Sequence, residues 1–138
     1  MSAMHRSDSH SRLIASLTNH FSGSETCTEV IDRFDLLMHW TWKFLSRVLG
    51  NGGTKAVLAR SVHLATLEFP LLLTIRVSDS EIDLVGIRNH FNEVDCTVIE
   101  VVDAFVSVSE KMFQILTDFT GDLLTEPLLQ HLGGSPEE

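Results

Sequence analysis

Histidine and carboxylate side chains are the first candidates for metal chemistry, and the chain has seven histidines. His90 and Glu93 stand three apart on a predicted helix, a spacing that lets two side chains share a metal as one half of a carboxylate-bridged site. The second half does not occur elsewhere, and the HEXXH, CXXC and paired HXXXH spacings are absent. We therefore expect no metal or other cofactor. The alternative hypothesis is a ligand- or metal-binding protein with His63, or His90 and Glu93, as contacts.

A histidine phosphotransfer protein would carry an exposed histidine on a four-helix bundle, and His63 lies off the apolar stripe of its predicted helix. Its neighbours differ from the usual pattern of such domains, which have a lysine three residues on and then a small residue. This chain has Thr66 and Leu67 at those places. A structural histidine is the favoured interpretation because the chemical partners are missing, and phosphotransfer through His63 is the third hypothesis.

Other catalytic or cofactor chemistry has little support in the residue pattern. Serine and threonine are plentiful but the histidines are scattered, so no nucleophile, base and orienting residue can be grouped. A pocket for haem or another flat apolar ligand would need an inward-facing histidine, and His39 falls on the polar strip of its predicted helix. We therefore expect a protein that is not an enzyme.

Composition limits the class of protein and of partner. The chain has 138 residues, 43% hydrophobic and 21% charged, which is typical of one globular domain. Its formal charge of −9 disfavours nucleic acid and anionic membranes, because both are bound through Lys and Arg. The first residues lack the apolar core of a secretory signal, so we expect a cytoplasmic protein whose two cysteines are thiols.

Apolar residues recur at three- and four-residue intervals over most of the chain, which predicts an all-α fold. We expect a single helical domain at 11–132, a bundle of four to five helices. A short extended or hairpin excursion is expected near 71–82. Residues 1–10 and 133–138 are predicted to be disordered tails.

Several boundaries follow from capping and breaking residues. An amphipathic helix is predicted from about Thr28 to Leu49, with Val48 on its apolar face. The glycines at 50–53 are expected to end it, and Thr54 to cap the next helix. After the excursion, Asp83 is expected to cap a short helix.

The strongest helical pattern begins near Asp95 and continues beyond residue 120. Its apolar positions include Phe119 and Leu123, which the spacing assigns to the buried side. Gly121 is expected to bend this helix. The apolar positions cover a wide arc of this helix, so we expect the helix to lie at the centre of a bundle or on a dimer axis.

An apolar pair interrupts the polar side of the helix at 28–49. Leu36 and Trp40 lie four residues apart, among Arg33 and Arg47, outside the predicted core face. Apolar ridges rimmed by charge mark partner surfaces, so we expect Leu36, Trp40, Arg33 and Arg47 to form the interface of a symmetric homodimer. The alternative is that the pair packs under the N-terminal helix or the excursion.

The C-terminal part of the chain carries a resemblance. From Thr54 onward, the segments TKAVLARSVHLATLEFPLL, IRV, IDLVGI and FTGDLLTEPLL resemble an uncharacterised helical domain of bacterial proteins, free-standing or attached to signalling chains. The match covers about residues 54–132 and rests on the spacing of apolar, Pro and Gly positions. It implies a bacterial accessory or regulatory module and no site residues.

These observations combine into one expectation. We expect a small, non-catalytic, cytoplasmic protein–protein interaction or regulatory module that forms a homodimer. A small-ligand or metal-binding bundle is the second hypothesis, and a phosphotransfer protein the third.

Overall fold

The computed structural model describes residues 2–79, 81–93 and 97–132, without the side chains of residues 2–10, 92, 93, 122, 131 and 132. The elements in chain order are α1 (Ser2–Phe21), α2 (Cys27–Thr66), a 3₁₀ helix (Pro70–Thr74), β1 (Arg76–Val77), β2 (Ile82–Asp83), α3 (Val85–Glu93), α4 (Val98–Thr120) and α5 (Asp122–Leu132). The described residues thus form five α-helices and one hairpin of two-residue strands, which confirms the predicted all-α fold.

Helix α1 extends further towards the N-terminus than the sequence predicts. It begins at Ser2, so residues 2–10 are helical where a disordered tail is expected. Leu13, Leu17 and Phe21 anchor its C-terminal half in the core, and no Gly or Pro interrupts the residues before them. A helix anchored at one end propagates at low cost, because each added residue adds one hydrogen bond. The tail predicted at 133–138 lies outside the described residues.

Helix α2 contains a break at Gly50, whose φ of 73° and ψ of 172° are not helical. The break separates a first segment, 27–49, from a second segment, 51–66. The predicted end of the first helix at the glycines is thus confirmed, but the cap predicted at Thr54 is wrong. Thr54 is buried inside the second segment, and its hydroxyl donates to the Gly50 carbonyl oxygen at 2.8 Å.

Capping residues define where α2 and α4 begin. The Thr26 hydroxyl accepts a hydrogen bond from the Glu29 N–H at 3.1 Å, and the Glu29 carboxylate accepts from the Glu25 N–H at 3.3 Å. At the start of α4, the Thr97 hydroxyl accepts from the Glu100 N–H at 3.1 Å. Each cap satisfies backbone donors that have no partner within the helix.

Three phenylalanines from three helices form the centre of the core. Phe105 of α4 stacks on Phe34 of α2 with ring centroids 4.0 Å apart, and Phe21 of α1 stacks on Phe105 at 6.3 Å. All three side chains are buried. Helix α5 closes the bundle against α1 and α4, and Arg12 pairs with Glu126 at 2.8 Å across the α1–α5 contact.

The hairpin and α3 form a compact unit beside α2. Strands β1 and β2 pair antiparallel, Ile75 and Ile82 are buried, and the Asp83 carboxylate accepts from the Val85 N–H at 2.9 Å, as the predicted cap requires. A Cβ at Gly86 would lie 2.4 Å from the Thr74 carbonyl oxygen. Glycine is therefore needed where α3 crosses the 3₁₀ helix.

Two ion pairs tie the peripheral segments to the helices. Lys55 of α2 contacts Asp79 of the hairpin turn at 2.7 Å, and its hydrogen bond and charge lower the pKa of the Asp79 carboxyl. Lys111 of α4 contacts Glu68 at 2.8 Å and lowers the pKa of Glu68 in the same way. Both carboxylates are at the surface, so solvent screens these pairs.

Two further findings concern membrane-spanning helices and the state of the cysteines. Within the described residues, none of the helices has the length and apolar character needed to span a bilayer. Cys27, the first residue of α2, is disulfide-bonded, so the free thiol predicted there is wrong. The other cysteine, Cys96, lies outside the described residues.

Candidate functional site

Leu36 and Trp40 lie at the surface of α2, as the sequence predicts. Leu36 is 67% exposed. Trp40 is half-buried, packs partly against the core and stacks on Phe44 with ring centroids 5.4 Å apart. The indole is thus supported by its own helix, and part of its surface remains accessible.

The exposed apolar surface of α2 is longer than the predicted pair. Val48 is 55% exposed, although the sequence assigns it to the core face. Leu36, Trp40, Phe44 and Val48 form a row at four-residue spacing, which we call the outer ridge. Its two ends are exposed, and Trp40 and Phe44 between them are half-buried and pack partly against the core. Twelve residues of α-helix span about 18 Å, so the ridge follows most of the first segment.

The two arginines predicted beside the ridge have different positions. Arg33 is half-buried and engaged within the chain, because its guanidinium donates to the carbonyl oxygens of His20 and Ser22. The His20 ring nitrogen Nε2 in turn lies 2.9 Å from the Arg33 carbonyl oxygen. Arg33 therefore fastens the end of α1 to α2. Arg47 is exposed beside the ridge.

A second surface feature lies between the first segment of α2 and the hairpin–α3 unit. It is an open groove of about 770 Å³. We call it the acidic groove, and its lining residues are Asp32, Asp35, Leu36, Met38, His39, Trp42, Lys43, Glu81, Ile82, Asp83, Leu84, Val85 and Arg88.

The floor and walls of the acidic groove are apolar. Met38, Trp42, Ile82 and Leu84 are buried side chains that line it. Leu36 on α2 and Val85 on α3 also line it, and Val85 is 61% exposed. The groove thus offers two accessible apolar side chains from two different elements.

Charged side chains surround these apolar residues. Asp32, Asp35, Glu81 and Asp83 contribute four carboxylates, against the cations Lys43 and Arg88. One Arg88 nitrogen lies 2.8 Å from the Asp32 carboxylate and another lies 3.9 Å from Asp35.

This pairing holds α3 against α2 and neutralises Arg88. The groove is therefore negative overall, with an excess of two carboxylates when His39 is neutral.

His63 and His90, the histidines considered for chemistry, do not line this groove. His63 is exposed on the second segment of α2 and lines a shallow depression of about 260 Å³ whose other lining residues are uncharged. His90 is half-buried and contacts the Phe91 ring edge-to-face at 5.3 Å. The side chain of Glu93 lies outside the part of the chain that the structure describes.

No cluster of three or more His, Cys, Asp or Glu suited to a metal ion occurs among the side chains that the structure describes.

Comparison with protein families, with characterised proteins and with solved structures finds no match to this chain.

Proposed function

We propose that this protein is a non-catalytic protein–protein interaction module that forms a homodimer through the outer ridge. The observation that carries the proposal is the ridge itself: a continuous apolar row on a helix whose opposite face is already buried. Exposed apolar surface of this kind, rimmed by charge, marks association sites. A two-fold dimer is the simplest closed assembly that covers it.

The spacing of the ridge suits packing against a second copy of itself. Rows at four-residue spacing on two helices interdigitate at a crossing angle near −50°. A two-fold axis near the Trp40–Phe44 stack would place that stack at the centre and Leu36 and Val48 towards the ends. Central, partly desolvated tryptophans carry a large share of binding energy, and fully burying a Leu or Val contributes about 1.5–3 kcal/mol.

A regulatory role in a bacterial cell completes the proposal. The regulatory role rests on the resemblance of residues 54–132 to a domain attached to signalling chains. The cytoplasmic location expected from the sequence is not part of the proposal, because Cys27 is disulfide-bonded and disulfides are rare in the cytosol. Alkylation of free thiols in intact cells, before lysis, measures whether Cys27 is disulfide-bonded in the cell.

The dimer is tested by the mass of the native particle, measured by light scattering over a dilution series. We expect twice the chain mass of 15.4 kDa for the intact protein. Trp40→Ala and Val48→Ser should raise the dissociation constant at least about tenfold, since that change corresponds to about 1.4 kcal/mol.

Ile99→Ser is the matched control, because Ile99 is also exposed, at 73%, but lies on α4. Circular dichroism establishes that each variant is folded, and Val48→Ser keeps the test valid if Trp40→Ala unfolds. A monomer at every concentration contradicts the proposal. So does an equal effect of Ile99→Ser.

A further inference from the structure

We infer that the acidic groove binds a basic, amphipathic segment of a partner protein, with an apolar side chain of that segment seated between Leu36 and Val85. The inference does not rest on the homodimer. One wall of the groove belongs to the outer ridge through Leu36, but the other wall and two of its four carboxylates, Glu81 and Asp83, belong to the hairpin–α3 unit.

The apolar residues supply the first part of the argument. Leu36 and Val85 face the groove from two elements and remain more than half exposed, while the buried Met38 and Trp42 close its floor. Water next to these side chains is released when an apolar group enters. Both exposed side chains are thereby desolvated by one ligand side chain.

Charge complementarity selects the chemistry of the ligand. Arg88 is already paired with Asp32 and lies 3.9 Å from Asp35, so Glu81 is the carboxylate best placed to attract a cation. The formal charge of the whole chain, −9, steers basic partners towards it and repels acidic ones. Lys or Arg flanking an apolar residue therefore matches the groove, and an acidic segment does not.

The dimensions select a segment rather than a folded surface. A volume of about 770 Å³ lies in the range of pockets that accept small ligands, and the groove is open along one side. It can hold a few side chains from one helix or strand, which is how amphipathic peptides are recognised in apolar grooves.

The test uses two short synthetic helical peptides with identical leucine positions, one carrying lysine and one carrying glutamate at all other sites. Binding of each fluorescently labelled peptide to the full chain is followed by anisotropy, at low and at physiological ionic strength. We expect the lysine peptide to bind at least about tenfold more tightly than the glutamate peptide, and to weaken as salt screens the carboxylates.

Two pairs of variants locate the site. Glu81→Gln should weaken lysine-peptide binding about two- to fivefold, the value of one exposed ion pair, and Asp103→Asn on the exposed side of α4 should not. Val85→Ser should also weaken binding, while Ile99→Ser should not. Trp40→Ala should retain binding as a folded monomer, which separates this inference from the dimer proposal.

Several results would overturn the inference. These are equal affinity for the two peptides, no binding of either, or unchanged affinity in both Glu81→Gln and Val85→Ser. A loss of lysine-peptide binding as the protein concentration rises would mean that a second copy fills the groove, and would overturn the inference as well.

Discussion

The break in α2 gives the sharpest test of the structure, because two glycines in one turn should respond to alanine in opposite directions. A Cβ at Gly50 or at Gly52 would meet no atom within 4 Å, so neither substitution creates a clash. Any difference between Gly50→Ala and Gly52→Ala must therefore come from the backbone.

The expected magnitudes follow from the dihedral angles. At Gly50, φ of 73° with ψ of 172° lies in a region open almost only to glycine, and holding another residue there costs about 1–3 kcal/mol. Gly52 lies in the helical second segment, where alanine is favoured over glycine by about 0.8–1.0 kcal/mol. The two variants should thus differ in unfolding free energy by about 2–4 kcal/mol, a large part of a typical 5–15 kcal/mol.

Urea unfolding followed by far-ultraviolet circular dichroism measures both values. Gly50→Ala should lower the midpoint and Gly52→Ala should raise it, with unchanged denaturant slopes, because the surface exposed on unfolding is the same. Measurements at several protein concentrations separate folding from dimerisation. If both variants are stabilised, the helix runs straight through Gly50 and the described break is refuted.

Four other substitutions probe the core and an ion pair. The buried Ser107 hydroxyl has no hydrogen-bond partner at normal distance among the described atoms, and its weak interaction with Glu68 is the smallest of the causes that lower the pKa of that carboxyl. Ser107→Ala should therefore stabilise the protein by about 1 kcal/mol in urea unfolding. Ser109→Ala, which removes a hydroxyl that donates to a backbone carbonyl at 3.1 Å, should not stabilise it. Phe105→Ala should cost about 3–5 kcal/mol by the same assay, and a loss under 1 kcal/mol would contradict its central position. Lys55→Gln should return the pKa of Asp79 towards its ordinary value, measured by NMR titration. Because the pKa of Asp79 is lowered in the folded protein, the Lys55–Asp79 pair stabilises the protein fully above the ordinary aspartate pKa of about 3.9. This stabilisation is lost as pH falls through the lowered pKa. The difference in unfolding free energy between Lys55→Gln and the intact protein should therefore vanish in acid.

Local patterns in the sequence predict the helices well, but they do not predict at which residue a helix stops packing against its neighbour. The spacing that places Phe34 in the core is correct, and so is the exposure of Leu36. Val48 is wrongly assigned to the core face: it is 55% exposed and lies two residues before the break at Gly50. Phe119 is likewise assigned to the buried side but is 81% exposed, since Gly121 ends α4 there with φ of 61°.

The acidic groove could not be predicted because its two sides come from distant parts of the chain. Asp32 and Asp35 are mostly exposed and look like an ordinary solvated strip on one helix. Only the packing of α3 against α2 brings Arg88 to them and places Val85 in the same groove as Leu36. Of the predicted interface, Leu36, Trp40 and Arg47 remain at the surface. The hydrogen bonds of Arg33 could not be predicted, because its acceptors are backbone carbonyls at the end of another helix and just beyond it.

The phenylalanine stack also determines the order in which the protein can fold. Phe34 and Phe105 are about 70 positions apart, so their contact requires closure of a long loop that includes the hairpin and α3. Such non-local contacts slow folding relative to helical proteins with neighbouring partners. During synthesis on the ribosome, α1 and α2 are complete well before α4 emerges. Until then Phe21 and Phe34 have no ring from α4 to cover them, which makes this interval the one in which the nascent chain is most exposed to aggregation and to chaperones.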